Sequence, residues 1–154
     1  MGNYLNPDNS KFQRAVNSDI YVDKTGLIQY TNRVINTMQA YVCVSRPRRF
    51  GKSMAANMLT AYYSRGCDSE ELFSGFEISK SADFETYRNK YNTISLNMQE
   101  FLSRSNNIEE VIDRVKRFVL RDLKKAYSDV DYLDDMDLIE SMQDVYEEKK
   151  CPFV

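Results

Sequence analysis

The stretch at residues 45–53 carries four cations and no acid, and it ends in Gly51, Lys52 and Ser53. Those residue types in that order suit the grip of an oligophosphate. A glycine lets the backbone approach a phosphate closely. A lysine directly after it places an ammonium on the β/γ-phosphates, and a following serine offers a hydroxyl to Mg²⁺. A helix starting there adds unpaired N–H groups and the positive end of its dipole. On this reading Arg46, Pro47, Arg48, Arg49, Phe50, Gly51, Lys52 and Ser53 form the binding loop. Lys52 is the candidate catalytic cation, and Ser53 the candidate Mg²⁺ ligand through the nucleotide. Residues 47–52 would supply backbone donors, except Pro47, which has no N–H. Arg48 and Arg49 would touch phosphate or anchor the loop on acids such as Asp23. The usual pattern, Gly-x-x-x-x-Gly-Lys-(Ser/Thr), has its first glycine where this chain has Arg46. The same residues also suit a basic turn that merely starts a helix.

Such a loop needs a strand before it and a helix after it. Residues 40–44 (Ala, Tyr, Val, Cys, Val) are short and apolar and predict a buried strand. Residues 52–64 predict a helix with Met54, Met58, Leu59 and Tyr62 toward the core and a stop at Gly66. Upstream, residues 1–11 are polar and predict a loose lead-in. Asp23 or Thr25 is placed to cap a helix bearing Leu27, Ile28, Thr31, Val34, Ile35 and Met38 at helical spacing. Downstream, residues 92–98 alternate apolar and polar and predict a strand. An Asn106–x–x–Glu109 cap opens a long amphipathic helix with Ile108, Val111, Ile112, Val115, Phe118, Val119 and Leu123 inward. Arg114, Arg117, Arg121 and Lys125 form a basic stripe on its other side. Asp134 or Asp135 is placed to cap a last helix, with Leu138, Ile139, Met142, Val145 and Tyr146 inward.

Three blocks carry a resemblance. Residues 46–53 resemble the RPRRFGK(S/T) signature of the bacterial AAA-ATPase-like family, in which the arginine at the first glycine's place is usual. Tyr21, Val22, Asp23, Lys24 and Thr25 resemble that family's YxVDKT element. Residues 72–78 (Leu, Phe, Ser, Gly, Phe, Glu, Ile) resemble its LFxGL.I segment. The resemblance implies a three-layer α/β/α P-loop domain that binds and hydrolyses ATP with Mg²⁺, often followed by a PD-(D/E)XK nuclease-like domain. It also allows the 21–25 segment to pack near the nucleotide base or ribose. In the family a later strand carries the Walker B acids, and Phe153 and Val154 resemble its first step. The acids themselves are absent, so the sequence is expected to be the N-terminal portion of an ATPase domain. It would bind nucleotide with little turnover, and would be marginal or self-associating without the missing part.

The chain of 154 residues, 42% apolar and 29% charged, suits one soluble globular domain. A net charge of −2 gives no general pull toward nucleic acid or an anionic membrane. With no histidine, His-based triads, bases and metal ligands are excluded within this chain. Cys43, Cys67 and Cys151 have no framework spacing and predict reduced thiols in a cytoplasm. No run is long and apolar enough for a membrane span, and no signal peptide is visible. The rival reading is a non-enzymatic module that keeps the basic loop as a structural turn and offers the 114–125 stripe to a protein or nucleic acid.

Overall fold

The computed structural model describes residues 2–154. Among them eight α-helices run in chain order: α1 (Ser10–Val16), α2 (Gly26–Val34), α3 (Lys52–Tyr63), α4 (Glu70–Phe73), α5 (Phe84–Tyr87), α6 (Met98–Leu102), α7 (Ile108–Ala126) and α8 (Leu138–Lys149). A single 3-10 turn occupies Glu77–Lys80. About half of the chain is helical, and no strand or sheet forms among the described residues. The expected three-layer α/β/α P-loop architecture is therefore corrected. The physical reason is visible at both places where a strand was expected. A strand exists only through backbone bonds to a neighbour. Residues 41–45 make no backbone hydrogen bond among the described residues, and Tyr41 is 98% exposed. An apolar groove of about 360 Å³ opens beside this run, between α2, α3 and residues 93–96.

Residues 92–98 also fail as a strand, though they bond on several sides. Asn92 bridges Phe153 in parallel and Ile94 bridges Leu5 antiparallel, each as an isolated bridge. The run then turns into α6 at Met98, capped by the Asn97 side chain, which accepts from Gln99 N. Local capping chemistry thus ends the alternation early.

The core lies in two apolar clusters. In the first, α3 packs on α1 and α2. It buries Phe12, Ile28, Met58, Tyr62, Phe73 and Ile78, each contributing roughly 1.5–3 kcal/mol when fully removed from water. The Phe12 and Phe73 rings stack at 5.1 Å, and Tyr21 meets Phe76 at 5.3 Å. The second cluster joins α7 and α8 through Leu5, Leu123, Tyr127, Val130 and Val145. The N-terminal lead-in is therefore anchored rather than loose. Tyr4 N donates to the buried Asp122 carboxylate at 2.8 Å, and the Tyr4 ring stacks on Phe118 at 5.7 Å.

Several helix limits follow from local chemistry. Good helix formers (Met, Ala, Leu) carry α3 through Tyr63 as the spacing predicts. Gly66 is not its left-handed cap. A Cβ there would lie 2.2 Å from the Asn6 carbonyl oxygen, so this glycine serves a close backbone approach. Helix α2 ends at Val34, short of Met38, which is 96% exposed. Helix α7 is capped one residue later than predicted, by Asn107 rather than Asn106, with the Asn107 side chain accepting from Glu110 N at 2.8 Å. Ile108 and Ile112, placed inward by periodicity, are exposed over half their surface or nearly so, as are Ile139 and Tyr146 of α8. Cys151 is buried and Cys43 exposed, although both sit in apolar runs that suit small core residues, and all three thiols are free.

Candidate functional site

The predicted loop forms a turn that leads directly into α3. Gly51 is the residue before the helix and sits in the left-handed region at φ 78°, where only glycine is free of strain. Arg49 also has positive φ, 68°. Lys52 opens the right-handed helix. This change of hand between Gly51 and Lys52 is the backbone pattern that gathers successive N–H groups into an anion-binding concavity.

Those donors are open. Ala55 N bonds back to Gly51 O at 2.9 Å, but the N–H groups of Lys52, Ser53 and Met54 meet no acceptor among the described residues. The start of α3 thus presents three unused donors with the positive end of its dipole. The Lys52 side chain folds back across the loop, its Nζ donating to Arg46 O and, at 3.4 Å, to Pro47 O. Arg46, Arg48 and Arg49 are exposed, and none of them forms an ion pair among the described residues. Phe50, at 64% exposure, leaves its ring in solvent. Ser53 lines a polar cleft of about 800 Å³, whose other walls include Asp8, Lys11, Asn57, Asn97 and Glu100. The donor set of backbone N–H groups, ammonium and hydroxyl fits an oligophosphate. Among the described residues no group of three or more Asp, Glu or Cys side chains is arranged to hold a metal ion.

The expected anchoring of Arg48 or Arg49 on Asp23 is not formed. Both Asp23 oxygens are taken by backbone donors: Thr25 N at 2.8 Å and Glu77 N at 2.9 Å. Burial pushes the Asp23 carboxyl up, but these hydrogen bonds outweigh it and hold the group below its ordinary value. Thr25 is fully buried, and its hydroxyl accepts from Ile78 N at 3.2 Å. The 21–25 segment is thereby pinned to the 77–80 turn. Lys24, between the two anchors, reaches the loop: its Nζ lies 3.5 Å from Phe50 O.

A family model described as predicted AAA-ATPase matches residues 10–152. The chain belongs to that AAA-ATPase-like family. No curated protein and no solved structure matches it. Membership is consistent with nucleotide binding at the level of the family. In this AAA-ATPase-like chain the three blocks that carried the resemblance come together in space. Tyr21 and Phe76 share one aromatic cluster, Asp23 and Thr25 tie the second block to the third, and Lys24 ties it to the first. Reading the sequence flagged all three blocks but missed the Lys24 contact. The only signal was the presence of a lysine between two capping residues, which does not say where its side chain goes. No helix among the described residues is long and apolar enough to cross a membrane.

Proposed function

We propose that this AAA-ATPase-like chain binds ATP through residues 46–53, with Mg²⁺ accompanying the nucleotide. The observation that carries the reading is the start of α3, where three backbone donors have no acceptor among the described residues and follow directly on Arg46, Arg48 and Arg49, which form no ion pair there. Lys52 supplies positive charge to the β/γ-phosphates when its ammonium leaves the loop carbonyls. The N–H groups of Lys52, Ser53 and Met54 hold phosphate oxygens, and the left-handed Gly51 keeps their approach clear of a side chain. The Ser53 hydroxyl, at the edge of the polar cleft, is the residue's own contribution to a Mg²⁺ coordination sphere. Bound Mg·ATP would supply a γ-phosphoryl group whose charge is neutralised by the metal.

The basic stripe of α7 gives less support to a nucleic-acid surface, because much of it is already paired. Arg114 bonds Glu110 at 2.8 Å, Arg121 meets Asp122 at 3.3 Å, and neighbouring Lys124 meets Asp135 at 2.9 Å.

Titration of a fluorescent ATP analogue, with and without Mg²⁺, tests the reading. The unaltered chain is expected to bind more tightly with Mg²⁺, and Lys52→Ala to lose about tenfold or more in affinity, the effect of removing a charge-assisted contact. Equal binding by both proteins, or none by the unaltered chain, would sink it.

A further inference from the structure

Lys24 lies outside the loop in sequence, yet its ammonium reaches the base of it. Nζ sits 3.5 Å from the Phe50 carbonyl oxygen and 2.8 Å from the place a Cβ on Gly51 would take. The Phe50 contact is long for a hydrogen bond and leaves the ammonium free to exchange partners. Both neighbours of Lys24 are fixed: Asp23 by two backbone donors, Thr25 by full burial and its bond to Ile78 N. No carboxylate pairs with Lys24 among the described residues. A cation with anchored neighbours, no carboxylate partner among the described residues and a place beside Gly51, the residue before the open N–H groups of α3, is arranged to receive an anion.

We infer that Lys24 is a second phosphate-binding cation beside Lys52, delivered from the start of α2 to the Phe50–Gly51 end of the loop. The inference rests on the nucleotide reading above. It has a structural consequence: occupancy by the polyphosphate ties the loop to α2 and, through Asp23 and Thr25, to the 77–80 turn.

Displacement of the fluorescent ATP analogue by ATP and by inorganic tripolyphosphate tests it, on the full chain and on Lys24→Met, Lys24→Arg and Lys52→Ala. Lys24 is exposed, so these variants are expected to keep the unaltered melting temperature. Lys24→Met should weaken ATP and tripolyphosphate alike, by about tenfold or more, and Lys24→Arg should stay within about threefold of the unaltered chain. Loss for ATP with none for tripolyphosphate would mean that Lys24 reads the nucleoside, and would overturn the inference. If Lys24→Met binds both ligands normally while Lys52→Ala loses them, the inference falls and the nucleotide reading stands. If Lys52→Ala is also without effect, both fall.

Discussion

Asp23 acts by holding backbone rather than by pairing with a cation. Its two oxygens accept from Thr25 and Glu77, so one carboxylate joins the start of α2 to the 77–80 turn. Its folded pKa lies below the ordinary carboxylate value because these bonds outweigh burial. A depressed folded pKa contributes stability above the unfolded value, and that contribution is lost as pH falls through the folded one. Asp23→Asn removes the charge and part of the acceptor capacity, at an expected cost of about 1 kcal/mol at pH 7. The gap in melting temperature between Asp23→Asn and the unaltered chain should narrow as pH drops from 7 toward 3. A gap that stays constant over that range would show that the charge on Asp23 does not matter. The turn at Gly51 into a helix opened by Lys52 and Ser53 was legible in the sequence because it is set by adjacent residues. The role of Asp23 and the reach of Lys24 were not, because 54 and 26 residues separate each from its partner.

Among the elements, α8 shows both what capping chemistry predicts and where it stops. Asp137 is the cap, its Oδ1 accepting from Ile139 N at 2.7 Å and Glu140 N at 3.0 Å. Asp134 and Asp135, the candidates from the sequence, do other work. Asp134 accepts from Met136 N, and Asp135 pairs with Lys124. An acidic run announces a helix start without saying which acid turns the chain, since that depends on φ and ψ rather than residue type. Asp137→Ala is expected to cost about 1 kcal/mol, a fall in melting temperature of about 2–4 °C for a chain of this size. Asp135→Ala removes only an exposed ion pair and should cost less than half as much. Equal effects in thermal melts would show that Asp137 is not the working cap. The helices themselves, α3 and α7 above all, were legible because their apolar spacing is local. The two expected strands were not, because pairing is non-local and an apolar run cannot specify its own neighbour.

At the scale of the molecule, the two apolar clusters are joined through residues 91–95. Tyr91 exchanges backbone bonds with Tyr63 and Arg65 at the end of α3. Asn92 and Ile94 bond residues 152–154, and Thr93 and Ser95 bond residues 4–6. The Asn92 side chain is fully buried at this crossing. Its Oδ1 accepts from Asn6 Nδ2 at 2.9 Å and from the Tyr127 hydroxyl at 2.5 Å, and its Nδ2 donates to Cys151 O at 3.4 Å. One amide therefore satisfies groups from the N-terminal segment, the end of α7 and the turn after α8. Removing it strands at least two buried donors, Asn6 Nδ2 and the Tyr127 hydroxyl, in surroundings with little access to water. Asn92→Ala is expected to lower stability by about 2–4 kcal/mol, from the unmet donors and the small void together. Because the residue links the clusters, the loss should also reduce their cooperation. Urea unfolding followed by tyrosine fluorescence and by far-ultraviolet circular dichroism checks both points. The unaltered chain should give coincident transitions, and Asn92→Ala should give an earlier midpoint with the two signals separated. An unchanged midpoint would show that the amide network is dispensable. A shifted midpoint with coincident signals would keep the stability role and remove the linking one.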